Sequence, residues 1–255
     1  MWRRRAWGIV LVVLTGLGLW VRCGPLPDGV FVDEAPSTLV VDRRGAPLHE
    51  ARSDAGTRGA SLSADALPDT LVRATLAAED HRFRSHWGIE VRSVLRAAWH
   101  DLRAGSVVEG GSTITQQVAK LLLARARARR GRTPGADAAR PGRLARLARK
   151  IDEAVLALRL EHRSSKDEIL ARYLSLAPYG NQIVGAERAS RAYFGHPASM
   201  LTTAEAALLA SLPQRPSVLN PYGRLDAALR RQRQVLARLE SLDWIASADR
   251  RRAES

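Results

Sequence analysis

The longest apolar stretch of the chain, residues 6–21, lies close to the N-terminus. Three arginines precede it at positions 3–5, and Trp7 and Trp20 stand near its two ends. A bilayer span needs about 20 apolar residues, and flanking Trp and Arg side chains extend a shorter run by reaching the interfaces. We therefore predict a single-pass transmembrane helix with a cytoplasmic N-terminus and the remainder outside the cytoplasmic membrane. A cleaved signal peptide is the alternative, although Arg22 stands where a small residue of the cleavage site is expected.

Two short runs rich in β-formers follow, Thr38 to Asp42 and Ala46 to Glu50, with a turn between them at residues 43–45. This alternation predicts a short β-hairpin, and Pro47 confines its second strand to a sheet edge. Residues 24–37 before it are rich in Pro, Gly and acidic side chains, which is typical of a linker.

Beyond the hairpin, apolar positions recur at helical spacing. Pro68 suits the first turn of a helix that runs towards Glu79, and residues 91–103 predict another that ends before Gly105. A long helix follows, with one apolar face formed by Leu144, Leu147, Ile151, Val155 and Leu158.

Two capping boxes, Ser165 with Glu168 and Thr202 with Glu205, predict the starts of two further helices. Residues 224–242 form a basic amphipathic helix, and we expect the polar tail after it to be frayed. The prediction is thus a mainly α protein, divided into residues 1–23 (arginines and anchor), 24–37 (linker), 38–242 (main domain) and 243–255 (polar tail).

The chain is strongly basic, with a formal net charge of +14. Residues 125–150 carry nine arginines and Lys150 against Asp137 alone, which is 10 − 1 = +9 in one segment. We expect its middle to be a mobile basic loop whose partner is nucleic acid or an anionic membrane surface, and a membrane anchor nearby favours the membrane. A single cysteine excludes an intrachain disulfide, and no Cys/His cluster predicts a metal site.

The stretch Glu109 to Lys120, EGGSTITQQVAK, concentrates groups that bind ligands. Thr113 with Gln116 fits a capping box, so a helix begins near Thr113. Thr113, Gln117 and Lys120 then share one helix face, which offers donors to a phosphate-bearing ligand. The alternative is a capped surface helix with a solvated polar stripe. Only three lysines occur among 40 basic residues, so a lysine at this place favours the binding interpretation.

Glu79 is the first candidate for acid–base chemistry. Glu79, Phe83 and His86 are spaced i, i+4 and i+7, so they line up if the helix persists to His86. A carboxylate beside an aromatic ring and an imidazole has a raised pKa and accepts a proton near neutral pH. The alternative is a core phenylalanine, a hydrogen-bonded histidine and a structural ion pair of Glu79.

Glu153 is the second candidate, with Arg149 four residues before it and Lys150 three before. Such a pair is usually a helix ion pair worth a few tenths of a kcal/mol. If Arg149 and Lys120 face the same cleft, however, they form a cationic site for a pyrophosphate, and Glu153 binds a metal or steers the charges. Two separated carboxylates with a cationic site suit glycosyl transfer from a diphosphate donor.

The ordered motifs resemble those of the family 51 glycosyltransferases, the peptidoglycan polymerases that also form the first domain of class A penicillin-binding proteins. The similarity runs from about residue 39 to residue 239. The matching motifs are EDHRFRSHWG from Glu79, GGSTITQQVAK from Gly110 and RKIDE from Arg149, followed by SKDEILARYL, AERASRAYFG and TTAEAALLASLPQRPSVLNP. The sequence of the stretch YLSLAPYGNQIVG is most similar to the 1C branch of the class A enzymes.

The resemblance implies a mostly helical, lysozyme-like domain on the outer face of the cytoplasmic membrane. It implies polymerisation of lipid II into β-1,4 glycan with inversion and release of undecaprenyl pyrophosphate, without an organic cofactor. Glu79 is then the general base, and Glu153 assists departure of the pyrophosphate, directly or through a divalent cation (Mg or Mn). The residues implied to bind substrate are Asp80, Phe83, His86, Ser112, Thr113, Gln116, Gln117, Lys120, Arg149 and Lys150.

The chain departs from the family pattern at two positions. Leu121 and Ser175 stand where the family commonly has Asn, which changes local hydrogen bonding without altering either glutamate. S-x-x-K and K-T-G are absent, so no transpeptidase activity is expected in this chain, and a separate transpeptidase or another cell-wall protein is the expected protein partner.

Three other functions stay open. The first is a non-catalytic relative that binds lipid II or partner enzymes. The second is a lysozyme-like hydrolase, against which the pyrophosphate-suited Lys120 and Arg149 argue. Nucleic-acid binding comes last, because it requires the basic segment to face the cytoplasm.

Overall fold

The computed structural model describes residues 2–26, 38–43, 47–51, 58–59, 62–90, 111–131 and 142–255. The predicted helix at 91–103, Glu109, Gly110, most of the linker and the middle of the basic loop lie outside these residues. In chain order the elements are α1 (Trp2–Cys23), β1 (Thr38–Val41), β2 (Pro47–Ala51), β3 (Arg58–Gly59), α2 (Asp69–Glu79), α3 (Ile114–Arg129), α4 (Arg143–Arg163), α5 (Lys166–Leu176), β4 (Ile183–Val184), α6 (Ala186–Phe194), α7 (Thr203–Ser211), α8 (Pro221–Ser241) and α9 (Ser247–Glu254). Three short 3₁₀ helices lie at Ala64–Ala66, Phe83–Ser85 and Ala198–Met200.

The chain divides into two compact units. The first unit comprises Met1–Phe31 and His86–Ser165, and the second comprises Val32–Ser85 and Lys166–Ser255. The main domain predicted as 38–242 therefore supplies residues to both units, with Glu79 in the second and Glu153 in the first.

Helix α1 covers the apolar stretch at the N-terminus. In the part of the chain that the structure describes, however, no helix combines the length and the apolarity that crossing a bilayer requires. The apolar run is shorter than the roughly 20 residues of a typical span, and arginines adjoin it at both ends. The predicted transmembrane helix is therefore corrected to a helix that does not meet the requirement for a span.

The end of α1 is held by two arginines of α4. Arg159 donates to the carbonyl oxygens of Trp20, Val21 and Pro25 at 3.4, 3.2 and 2.6 Å, and its guanidinium lies 4.8 Å from the centre of the Trp20 ring. Arg163 donates to the carbonyl of Gly24 at 2.8 Å. The Trp20 carbonyl also accepts from the Gly24 amide at 2.9 Å, whereas the last carbonyls of a helix, such as that of Val21, lack a partner within it. The two guanidinium groups therefore complete the hydrogen bonding at this helix end and join α1 to α4.

Helices α3 and α4 pack against each other in the first unit. The buried side chains are Ile114, Val118 and Leu122 from α3 and Leu156, Ala157 and Leu160 from α4.

The apolar face predicted for α4 is only partly buried. Leu144, Leu147 and Ile151 are 83%, 58% and 54% exposed, whereas Val155 and Leu158 are half-buried. The prediction is wrong for the first half of the helix, because α4 turns a different stripe, which includes Glu153, towards the described part of its unit.

The core of the second unit lies between α2, α7 and α8. Its buried side chains include Leu71 and Leu76 of α2, Leu208 and Leu209 of α7, and Val235, Leu236 and Leu239 of α8. Strand β1 pairs with β2 in antiparallel register, Leu39 opposite Glu50, with an irregularity between Val40 and Val41. Strand β3 pairs in parallel with β4, so the second unit is mainly helical with two small sheets.

The helix ends of the second unit follow local rules. Thr202 accepts from the Glu205 amide and Glu205 caps the Thr202 amide in return, which confirms that capping box. Helix α8 begins at Pro221 after the Asn220 cap. The tail expected to be frayed is instead helical over Ser247–Glu254, because Arg250 pairs with Glu240 at 2.7 Å and with Glu254 at 2.8 Å.

Candidate functional site

Glu79 is the last residue of α2, and the helix does not continue to His86. Asp80 leaves the helical conformation with φ −162° and ψ 76°, and its N–H donates the last helical bond to Leu76. Phe83 belongs to the separate 3₁₀ turn Phe83–Ser85. The predicted alignment of Glu79, Phe83 and His86 along one helix is therefore wrong, since the backbone turns between them.

Phe83 anchors this turn in the second unit. Its ring is fully buried, and the Lys166 ammonium lies 4.5 Å from the ring centre. The neighbouring Arg84 pairs with Asp167 at 2.7 Å. The segment that follows Glu79 is thus tied to the first turn of α5.

Two buried tyrosines lie within electrostatic reach of Glu79. Burial raises the pKa of Tyr173 well above its ordinary value, and the Glu79 charge raises it further. Burial is also the larger cause of the raised pKa of Tyr179, and the Glu79 charge is the second cause. Carboxylate oxygen Oε1 of Glu79 is itself shielded from solvent. Sequence reasoning did not single out either tyrosine, because the influence of Glu79 on them arises from tertiary packing between segments far apart in sequence.

Asp80 and His86 differ in their surroundings. Asp80 is buried, directly after Glu79 in the second unit. His86 lies in the first unit, where its Nδ1 accepts from the Gly88 amide at 3.1 Å. Gly88 has φ +81°, and a Cβ there would lie 2.9 Å from Cγ of Glu161, so only glycine fits this turn.

The capping box predicted at Thr113 is present at the start of α3. The Thr113 hydroxyl accepts from the Gln116 amide at 3.2 Å, and Gln116 Oε1 accepts from the Thr113 amide at 3.1 Å. The same hydroxyl donates to the Gly88 carbonyl at 2.6 Å. Thr113 is buried, so its hydroxyl fixes the helix start against the Gly88 turn.

The polar face of α3 becomes more exposed along the helix. Gln117 is half-buried, whereas Lys120 is exposed. No residue within the described ranges pairs with Lys120, which leaves its ammonium available to an anion. On another face, Thr115 donates to Glu161 at 2.5 Å and links α3 to α4.

Glu153 pairs with Lys150. The Lys150 ammonium lies 2.8 Å from Glu153 Oε2, and the Glu153 side chain is only 12% exposed. The same ammonium lies 3.4 Å from Ser112 Oγ, next to the start of α3. The Arg149–Glu153 ion pair weighed from the spacing is not formed, and the exposed Arg149 has no side-chain partner in the described part of the chain.

The first unit therefore brings together the RKIDE motif of α4 and the start of α3. The Lys150 ammonium links Ser112 and Glu153. Lys120 of α3 and Arg149 of α4 are exposed and have no carboxylate partner among the described residues. Such a set favours an oxyanion ligand, because ammonium and guanidinium groups are its natural partners.

A protein cage for a divalent cation does not fit these residues. Among the described residues, no three His, Cys, Asp or Glu side chains lie close enough together to hold a metal ion. Glu153 alone is one ligand, whereas Mg²⁺ takes six, so a cation there would draw most of its ligands from the substrate and water.

Comparison with known proteins decides the family. A family model described as "Transglycosylase" matches residues 44–240, which is most of the chain. The chain belongs to the transglycosylase family. This transglycosylase carries Glu79, the start of α3 and Glu153 within the matched range.

The relatives of this transglycosylase are longer proteins. It is 39% identical to penicillin-binding protein 1A of Aquifex aeolicus over 70% of this chain and 22% of that protein. It is 40% identical to penicillin-binding protein 2D of Bacillus subtilis, over 69% of this chain and 23% of that protein. It is 33% identical to penicillin-binding protein 1C of Escherichia coli, over 89% and 29% respectively. The chain thus spans less than a third of these relatives, and the matches do not distinguish the 1C branch.

Among solved structures, penicillin-binding protein 1A of Haemophilus influenzae aligns with this transglycosylase. The alignment covers 88% of this chain and 21% of that one, at 18% identity and a TM-score of 0.46.

Proposed function

We propose that this chain is a peptidoglycan glycosyltransferase that polymerises lipid II into β-1,4 glycan strands and releases undecaprenyl pyrophosphate. The observation that carries the proposal is the pair of carboxylates within the family match, each in a setting suited to a different task. The charge of Glu79 acts on two buried phenols, whereas Glu153 lies beside an ammonium.

Glu79 acts as the general base in this proposal. It removes the proton from the 4-hydroxyl of the acceptor sugar as that oxygen attacks the anomeric carbon of the donor. A positioned base contributes roughly 10²–10⁴ in rate.

The cations of the first unit act on the leaving group. As the bond from the anomeric carbon to the pyrophosphate oxygen breaks, negative charge grows on the pyrophosphate, and Lys120, Arg149 and Lys150 stabilise it. Glu153 holds Lys150 at 2.8 Å and thereby orients the ammonium. A divalent cation, if required, would bind mainly to the pyrophosphate oxygens with Glu153 as its protein ligand.

We further propose that the reaction takes place at the outer face of the cytoplasmic membrane, where the undecaprenyl chain of the substrate is embedded. The first half of α4 supports a location at the membrane surface. Its exposed apolar side chains alternate with exposed cations: Leu144, Leu147 and Ile151 with Arg146 and Arg149. A basic amphipathic helix of this kind binds an anionic interface. The finished strand would pass to a transpeptidase or another cell-wall protein.

The test is polymerisation of lipid II by the purified chain, with glycan products separated on a gel. We expect Glu79→Gln and Glu153→Gln to lose at least about 100-fold in rate. Glu240→Gln is the matched control, since it removes a carboxylate of the second unit that pairs with Arg250 and takes no part in the reaction. Glycan from the wild type and the control alone supports the proposal, whereas glycan from folded Glu79→Gln at the wild-type rate contradicts it.

A further inference from the structure

The first turn of α5 contacts the segment that follows Glu79. Lys166 sits over the Phe83 ring at 4.5 Å, and Asp167 pairs with Arg84 at 2.7 Å. Tyr173 comes seven residues after Lys166, which is two helical turns, so it projects from the same side of α5. The side of α5 that contacts Phe83 is therefore also the side that carries Tyr173.

The hydroxyl of Tyr173 is buried and has no assigned task. The side chain is 1% exposed, and its hydroxyl forms no hydrogen bond to any described residue. Buried polar groups are nearly always hydrogen-bonded, so a phenol without a partner calls for a functional explanation.

The charge of Glu79 reaches this phenol. After burial, it is the largest cause of the raised pKa of Tyr173. The same charge raises the pKa of Tyr179, and Asp80 adjoins Glu79 in sequence. A phenol with a raised pKa keeps its proton at neutral pH and is available as a hydrogen-bond donor.

We propose that Tyr173 is a positioning residue for Glu79, and that its hydroxyl donates a hydrogen bond to the Glu79 carboxylate in the working enzyme. The inference rests on the proposed function of Glu79 as general base. The hydrogen bond fixes the rotamer of the carboxylate and favours its ionised form, while Tyr173 keeps its own proton and Glu79 takes the proton of the acceptor hydroxyl. Catalytic hydrogen bonds are often long before substrate binds and shorten in the complex.

Tyr173→Phe tests the role, because it removes the hydroxyl and keeps the ring that packs in the core. We expect kcat for lipid II polymerisation to fall about 10-fold while KM changes less than about 2-fold. The acidic limb of the kcat/KM profile, which reports the pKa of the base in the free enzyme, moves to higher pH. An unchanged limb in folded Tyr173→Phe overturns the proposal.

Tyr193→Phe is the matched control. Its hydroxyl donates to the Tyr179 carbonyl at 2.7 Å. The variant therefore also removes one phenol hydroxyl, but one that is not proposed to orient Glu79. We expect a lower melting temperature and an unchanged acidic limb for this variant. Equal movement of the limb in both variants, or movement in Tyr179→Phe but not in Tyr173→Phe, also overturns the proposal.

A measurement without turnover separates this inference from the proposed function. The pKa of the Glu79 carboxyl is read by ¹³C NMR in the wild type and in Tyr173→Phe, with Glu79→Gln to assign the signal. A higher pKa of Glu79 in Tyr173→Phe supports the contact even where no glycan forms. A higher pKa together with no glycan rejects the polymerase function and leaves the contact standing. Equal pKa values in both proteins reject the contact.

Discussion

The ammonium of Lys150 lies 2.8 Å from Oε2 of Glu153, three residues further along the same helix. The lysine side chain is 59% exposed and the glutamate 12%, so a nearly buried carboxylate holds a cation whose other side faces solvent. Ser112, 3.4 Å from the same ammonium, joins this pair to the start of α3. The arrangement fixes one cation beside the helix start.

Lys150→Met separates the stabilising role of this pair from its role in the reaction. Half-exposed ion pairs contribute little, so we expect the free energy of unfolding to fall by less than about 1 kcal/mol. The rate of lipid II polymerisation should fall at least about 10-fold, because a charge opposite the leaving group is lost. Thermal melts and steady-state kinetics of Lys150→Met and Lys150→Arg measure both effects. A rate that falls only in proportion to the folded fraction would show that the pair is structural.

Thr113 combines a structural task with a predicted binding task. Thr113→Ala removes the cap of α3 and the bond to the Gly88 carbonyl, so we expect a loss of about 1–2 kcal/mol in stability. Thr202→Ala is the control, since it removes an equivalent capping box from α7. Both variants should melt earlier, and only Thr113→Ala should raise KM for lipid II. An unchanged KM would show that Thr113 acts only as a helix cap.

Gly24 lies against the guanidinium of Arg159 at the end of α1. A Cβ on Gly24 would overlap that guanidinium and crowd the Trp20 carbonyl, so Gly24→Ala should break the bonds that join α1 to α4. We expect a loss of about 1–3 kcal/mol and faster hydrogen exchange at the end of α1. Gly18→Ala is the control, because nothing lies within 4 Å of a Cβ there. Equal stability of the two variants would contradict the described contact.

The pair His196–Glu205 makes stability depend on pH. The hydrogen bond to Glu205, at 3.1 Å, and a second to the Pro197 carbonyl raise the pKa of His196 above 6.5. The stabilisation is therefore fully present below pH 6.5, and it is lost as the pH rises through the raised pKa in the folded protein. His196→Gln should remove this decline in melting temperature above pH 6.5. A decline of the same size in the variant would place its origin elsewhere.

The Glu205 carboxylate makes stability depend on pH in the acidic range. Burial disfavours its charged form, but hydrogen bonds from Thr202 and His196 outweigh burial and lower its pKa below 4.5. Its stabilisation is present above pH 4.5 and is lost as the pH falls through the lowered pKa. Glu205→Gln should therefore flatten the acid branch of the melting curve, and an unaltered acid branch would contradict the assignment.

Local sequence rules predicted the helix starts well. The capping boxes at Thr113 and Thr202 depend on two side chains three residues apart, and both formed as the spacing indicated. The hydrogen bond that Ser175 accepts from the Leu62 amide, at 3.0 Å, was not predictable, because its partner lies 113 residues away.

The errors arose where tertiary contacts decide. Helix α2 ends at Glu79, and Phe83 is buried in the core with the Lys166 ammonium over its ring. The sequence spacing of Glu79 and Phe83 therefore did not show that they belong to different elements. The effect of the Glu79 charge on Tyr173 likewise depends on packing between segments far apart in sequence. Periodicity located α4, but it did not show that Leu144 at its start would stay exposed.

The most direct test of the central claim is the yield of undecaprenyl pyrophosphate per glycosidic bond when the purified chain is given lipid II. Polymerisation predicts one pyrophosphate released for each bond formed, with both products lost together in Glu79→Gln. Lipid II that binds without release of pyrophosphate would contradict the claim in favour of a non-catalytic relative, and new reducing ends from finished peptidoglycan would contradict it in favour of a hydrolase.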